Sequence, residues 1–455
     1  MEALADIRQR WLAWRQASTN RAIFGAAVTI AVTTLVVNTA TVVKDIDVAS
    51  VFGISDALDV FLMANLIPTF CISVLAGSLF TSFVPVYIGV RETGDAGRAR
   101  QLLANVTFLA IALFIVTAAV LWLADRWVIA LIASRFGAAK QSRAVGLFDW
   151  LLPMILMGGL ASFGGSVLNA QKRFALAGLA PIFPQVMVVL VLVLAGNVAD
   201  PQLLVVGTLI GSTIQLAVVS WGIHKLGYSL VPRWHGMDEH SRRVITQYLP
   251  MIGGAFVMSA TVVVNQIMAA WLPRGSVSAL NFAGKVPTMI NSLGAAAVGT
   301  AVLPFLSQQV AVGDYAALRH TVRTYSRLIL GVSVPVVIIA ILFARPTVAV
   351  LFERGAFQRQ DTDLVSEILR CSVLQVPFYL LGTLFSRLVS VLRGNRVLLY
   401  GAIINVAINA LMNLILMRFM DASGIALSTA IVYFVSTLFL YAYSSRAIRK
   451  RVSAG

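Results

Sequence analysis

The run at 57–90, ALDVFLMANLIPTFCISVLAGSLFTSFVPVYIGV, holds 34 residues, of which only Asp59 is charged at neutral pH. A helix needs about 20 apolar residues to cross a bilayer. The run is therefore predicted to span a membrane. A gap-free offset of 219 residues finds the same run again. It aligns Ala64 with Ala283, Pro68 with Pro287, Thr69 with Thr288, Ala76 with Ala295, Thr81 with Thr300 and Pro85 with Pro304. The loop that follows repeats too: Gly94 with Gly313, Asp95 with Asp314, and Arg100 with Arg319. Proline, glycine, aspartate and arginine are rarer than the alanine and valine around them, so their shared spacing reads as an internal duplication.

Working outward, the spans are predicted near 22–43, 57–90, 102–124, 146–169, 175–196, 202–223, 244–272, 278–306, 325–344, 363–392, 397–417 and 423–444. The chain is 59% hydrophobic and 12% charged, which is more apolar surface than a soluble core of this length hides. Six spans separate the repeated copies. An even number gives both halves the same orientation and relates them by an axis along the membrane normal. The fold class that follows is an all-α polytopic membrane protein, with about twelve transmembrane helices in two pseudo-symmetric six-helix lobes around a central cleft. Expected boundaries are an amphipathic segment at 1–21, an N-lobe at 22–223, a linker at 224–243, a C-lobe at 244–446 and a basic tail at 447–455. In the first segment Leu4, Ile7, Trp11 and Trp14 share a helical face opposite Arg8, Arg10 and Arg15, as in a helix lying on an anionic leaflet.

A formal charge of +16 in a soluble protein would suggest nucleic acid, but here the basic residues sit in short clusters between apolar runs. Of the 35 lysines and arginines, 23 fall on the side of the N-terminus and 11 on the other. The positive-inside rule therefore places both termini in the cytoplasm. Cys71 and Cys371 lie in apolar runs without metal or redox spacing. His224, His235, His240 and His320 show no ligand pattern, so no metal and no cofactor is expected. No phosphate-cradling glycine loop appears, which leaves the membrane potential or an ion gradient as the energy source. No sequence period predicts oligomers, and a monomer is the default.

An ionisable group inside a bilayer costs at least about 2.5 kcal/mol, so the few present are the candidate site. Lys285 stands in the eighth span, Lys44 and Asp45 close the first, and Asp59 opens the second. Asn38 and Asn65 add polar groups nearby. A cleft with two lysines suits an anionic headgroup such as a pyrophosphate. The competing reading of Lys285 is snorkelling or a private pair with an aspartate. Pro68 and Pro287 are candidate hinges, because proline removes a backbone donor and bends a helix. Asn405, Asn409 and Asn413 share one helix face and are expected to bond neighbouring helices. Gly207 and Gly211 are expected to let helices approach closely.

Phe52-Gly53-Ile54-Ser55, followed by Asp59, Pro68, Gly77 and Phe83-Val84-Pro85, resembles the opening of the MurJ (MviN) family of lipid II flippases. Ala283-Gly284-Lys285, Leu351-Phe352-Glu353-Arg354-Gly355-Ala356-Phe357 and Gly424-Ile425-Ala426-Leu427-Ser428 agree with it. The resemblance implies membership of the multidrug/oligosaccharidyl-lipid/polysaccharide exporter superfamily. It implies outward movement of an undecaprenyl-pyrophosphate-linked sugar across the bacterial inner membrane, for peptidoglycan of the cell wall. It also places Lys44 and Lys285 where the family has basic residues, and Asp59 at its acidic one. This sequence departs from the pattern at Phe70, Cys71, Ile72 and Ser73, where basic residues are usual, and at Asn38, where the family has arginine. It ends after the twelfth span, where the family adds two helices.

The expected function is thus an alternating-access flippase, not an enzyme. It would move a polyprenyl-pyrophosphate-linked saccharide from the cytoplasmic to the outer leaflet. Lys44, Lys285, Asn38 and Asn65 would bind substrate, and Asp45 and Asp59 would hold the lysines or couple to an ion. Partners would be that lipid-linked substrate and membrane lipids, with no nucleic acid. Three alternatives stand: a flippase for an exopolysaccharide precursor, an ion-coupled drug exporter of the same superfamily, and a non-transporting membrane scaffold.

Overall fold

The computed structural model describes residues 19–452, all of whose regular elements are α-helices. The amphipathic segment expected around Leu4 and Trp14 lies outside the described residues. Helix α1 runs from Thr19 to Phe52 and α2 from Asp56 to Glu92. Then come α3 (Ala96–Leu123), α4 (Asp125–Ile132), α5 (Ala138–Leu151), α6 (Pro153–Ala170), α7 (Phe174–Leu179), α8 (Ile182–Leu194) and α9 (Pro201–His224). The second half holds α10 (Glu239–Ala269), α11 (Ser276–Ala283), α12 (Lys285–Val312), α13 (Tyr315–Leu342), α14 (Ala344–Phe352), α15 (Arg359–Val373), α16 (Gln375–Val391) and α17 (Asn395–Val452).

Eleven helical stretches are long and apolar enough to cross a bilayer. The last, Asn395–Arg449, has 55 residues, and a straight helix of that length would reach about 80 Å, more than twice the hydrocarbon thickness. It is a hairpin. Asp421 breaks it with φ 46° and ψ −129°, and Asn405 donates to Ser436 while Asn409 donates to Ser428 across the two arms. Gly424 makes the return tight, because a Cβ there would lie 2.5 Å from the Leu416 carbonyl carbon. The hairpin supplies the twelfth crossing, and each crossing coincides with one expected from sequence.

The duplication is visible in backbone angles. Gly94 and Gly313 take φ 83° and 79°, a left-handed geometry that glycine adopts without strain. Asp95 and Asp314 then cap the following helices, accepting from Arg98 N at 2.9 Å and Ala317 N at 2.8 Å. The copies differ at the expected hinges. Proline leaves the carbonyl four residues back without its helical donor. In α2 the helix runs unbroken past Pro68, whereas before Pro287 it is interrupted at Gly284. The counterpart of Gly284 is Asn65, and glycine is the weaker helix former.

Two further observations refine the expectations. Lys44 and Asp45 do not close the first span, since α1 continues two turns beyond them to Phe52; the charges are tolerated inside the helix because they are paired, as described below. Gly207 and Gly211 do let α9 approach α8 closely, as a Cβ on either would meet the backbone of Val188 or Pro184 at 2.7 and 2.4 Å.

Candidate functional site

Two of the seams between the halves are α1 against α12 and α10 against α2. Under the duplication these are one contact made twice, because the first span maps onto the seventh and the second onto the eighth. On the first seam Asn38 donates to Ser292 Oγ at 2.9 Å. On the second, Tyr248 donates to the Leu75 carbonyl at 3.1 Å and Phe70 meets Phe256 edge-on with centroids 5.3 Å apart.

The charged residues expected to act together do so in part. Lys44 and Lys285 both converge on Asp45, with Nζ to carboxylate oxygen distances of 3.0 Å each. The lysine side chains are 23% and 25% exposed and the carboxylate 7%. Lys44 lies eight residues before the end of α1, which puts the cluster about 12 Å below that face at 1.5 Å per residue. At contact distance in a partly screened site each attraction is worth about 4 kcal/mol, and desolvation costs several kcal/mol per ion. The terms nearly cancel. Two largely buried ammonium groups sharing one carboxylate therefore keep one uncompensated positive charge and can exchange their anion at little cost. Asn38 lies on this seam, whereas Asn65 presents a buried Oδ1 with no hydrogen-bond donor.

Asp59 departs from expectation: it holds neither Lys44 nor Lys285. Its Oδ2 accepts from Gly275 N and its Oδ1 from Ser278 N, both at 2.9 Å, and the residue is 2% exposed. The carboxylate caps the first turn of α11, where unpaired amides and the helix dipole favour an anion. Its nearest cation is Lys140, at 3.6 Å. Ser278 is also the residue 219 positions after Asp59. A residue can touch its own duplicate only on the pseudo-two-fold axis. Asp59 thus ties the halves at their axis, on the face opposite the ends of the described chain.

A network that sequence reasoning missed surrounds this tie. Asp56 pairs with Lys140 at 2.8 Å and with Arg274 at 3.0 Å, joining α2, α5 and the turn before α11. The available signal was Asp56 and Asp59 together in a first helical turn, with Lys140 and Arg274 between the expected spans on the same face. Beside it two glycine loops interlock. The Ala356 amide donates to the Ser50 carbonyl at 2.7 Å. Gly53 (φ 54°) and Gly355 (φ 59°) would each drive a Cβ into the opposing backbone, at 2.5 Å from Ala356 O and 2.2 Å from Ser50 O. The two glycine motifs of the sequence are therefore halves of one contact.

A second polar cluster sits within the C-terminal half. Asn413 donates to Asn265 at 2.8 Å, Asn265 donates to Thr429 at 3.0 Å, and Ser428 bonds Asn409 and Asn413. The asparagines bond neighbouring helices, as their shared face implied.

A family profile described as lipid II flippase MurJ matches residues 48–454. The chain belongs to the lipid II flippase MurJ family. A probable lipid II flippase MurJ of Vibrio cholerae serotype O1 is 25% identical over 439 residues, covering 94% of this chain and 83% of that protein. Among solved structures, a lipid II flippase MurJ in an inward closed conformation superposes with a TM-score of 0.79 at 21% identity, covering 93% of this chain and 90% of the other. An inward-facing multidrug resistance MATE transporter of the MOP superfamily superposes at 0.77 with 14% identity, over 93% and 99%. The chain is a multi-pass membrane protein of a transporter family, and MurJ and MATE proteins share its fold.

Proposed function

We propose that this protein moves lipid II, a polyprenyl-pyrophosphate-linked saccharide, from the cytoplasmic to the outer leaflet of a bacterial inner membrane. The observation that carries the reading, within a family of lipid II flippases, is the cluster of Lys44, Asp45 and Lys285 across the seam. Two ammonium groups on opposite halves share one carboxylate, so a pyrophosphate entering between the halves can take Asp45's place on both. Asn38 hydrogen-bonds the same seam and adds a polar contact, and Asn65 offers a free acceptor. The lipid tail stays in the bilayer while the headgroup passes.

In this account Asp59, capping α11, is the latch of the outer face, and Pro68 and the interruption at Gly284–Pro287 are where the second and eighth spans flex. Alternating access follows from breaking the latch and rocking one half against the other. Both termini are cytoplasmic, on the side richer in lysine and arginine. One chain is the working unit, since it carries both halves of the seam. No cofactor takes part, and the membrane potential or an ion gradient supplies the energy.

A flippase for another polyprenyl-linked oligosaccharide is the second reading. It is favoured by the apolar wall formed where Phe70 meets Phe256. Expression in a host depleted of its own lipid II flippase separates the two. Outward lipid II that disappears with Lys285→Ala supports the first reading, and no outward lipid II from an inserted protein rejects it.

A further inference from the structure

The face on which the described chain begins and ends is charged unequally between the two halves. In the N-terminal half the arginines that follow α2 are engaged. Arg91 donates to the Ala170 carbonyl at 2.9 Å, Arg98 pairs with Asp95 at 3.1 Å, and Arg100 lies over the Tyr228 ring at 5.9 Å. In the C-terminal half Arg319, Arg323, Arg327, Arg393, Arg396 and Arg449 are exposed, and none is ion-paired among the described residues. The carboxylate on that side, Asp314, is committed to capping α13.

The duplication does not account for this. Its offset places Arg100, Ala104 and Phe108 beneath Arg319, Arg323 and Arg327, so two of the three C-terminal arginines have apolar counterparts. The three recur every fourth residue and share one face of α13, while Leu318, Val322 and Ile329 are buried on the other side. They stand just before the apolar stretch 328–342, at the depth of lipid headgroups. Arg451 fixes the surroundings. Its guanidinium lies 5.7 Å from the Tyr315 ring centroid and donates to the Leu392 carbonyl at 3.3 Å, tying the ends of α13, α16 and α17 into one platform.

We propose that this platform binds the headgroups of anionic phospholipids, holding the C-terminal half on its leaflet while the N-terminal half moves against it. Guanidinium groups fork onto phosphate oxygens, and free arginines at headgroup depth lower the energy of an anionic leaflet. The proposal rests on the orientation given above and not on the identity of the transported substrate.

The test uses the purified full chain in nanodiscs containing equal phosphatidylglycerol and phosphatidylcholine, with the retained lipids counted by native mass spectrometry. Phosphatidylglycerol is expected to be enriched. An Arg319→Gln/Arg323→Gln/Arg327→Gln variant should bind it roughly 100-fold more weakly, as three surface cations imply. An Arg98→Gln/Arg100→Gln variant should leave the enrichment unchanged, and monodispersity of both variants controls for folding. Equal retention of the two lipids by the unaltered protein overturns the proposal and points to an acidic protein partner. Unchanged enrichment in the triple variant overturns it as well. Neither result depends on lipid II transport.

Discussion

Replacing Asp59 with alanine should unlatch the outer face. The carboxylate accepts two amide hydrogen bonds at 2.9 Å while 2% exposed, and a bond to a charged group contributes about 1.5–3 kcal/mol. Loss of both removes at least about 3 kcal/mol from the closed arrangement, which shifts the balance between closed and open faces by about 100-fold. Lys140 then keeps only Asp56, so water entering the gap recovers part of the loss. Spin labels at Ala139 and Arg354, both exposed and on opposite halves, would report the change in a background lacking Cys71 and Cys371. The unaltered protein should give one short distance, and Asp59→Ala a second, longer one. An identical distribution in the two proteins would refute the latch.

Other consequences are independent of this one. Gly355→Ala places a Cβ 2.2 Å from Ser50 O at φ 59°, so it should lower the melting temperature more than Gly94→Ala. The latter meets nothing within 4 Å and costs only the left-handed penalty of about 1–2 kcal/mol. Asn413→Ala takes the donor from Asn265 Oδ1 and an acceptor from the Ser428 hydroxyl and should destabilise the second half by about 0.6–1.7 kcal/mol, read as a thermal shift in detergent. Asp238 lies outside the spans at the start of α10. Burial pushes its carboxyl up, but hydrogen bonds from the Ser241 side chain and amide and the nearby His240 outweigh this and hold it below the ordinary carboxylate range. Its contribution is therefore complete above the ordinary carboxylate range and lost as the pH falls through the lowered value. The protection factors of amides in the first turn of α10, with the intrinsic slowing of exchange in acid divided out, should fall on that acidification, and Asp238→Ala, costing about 1 kcal/mol, should show the lower protection already at neutral pH.

Crossings and duplication rest on composition and spacing, and these are legible along a chain; Lys44, Asp45 and Lys285 were legible as candidates, but that both lysines meet on Asp45 was not. The prolines were legible as candidate hinges, but the helix continues past Pro68 and is interrupted only at Gly284, three residues before Pro287, where the other copy has Asn65. Asp59 was legible as an important charge, yet its partners were not. They are backbone amides 216 and 219 residues away, and amides carry no side-chain signature. The same holds for Gly53 and Gly355, each of which reads as a turn residue until the loops are seen to interlock. Lys44 and Asp45 read as a helix end, since a charge in a bilayer is costly, and Lys285 across the seam supplies the compensation that lets the helix continue.

The central claim is that the lysines joined through Asp45 carry the headgroup across. It is tested most directly by measuring lipid II on the outer face of cells whose resident flippase is depleted and which express this protein, Lys285→Ala or Lys285→Arg. The account predicts outward lipid II with the unaltered protein, at least about ten-fold less with Lys285→Ala, and recovery with Lys285→Arg, whose guanidinium still meets Asp45 and phosphate. Lipid II transport that is undiminished in an inserted Lys285→Ala protein would contradict it.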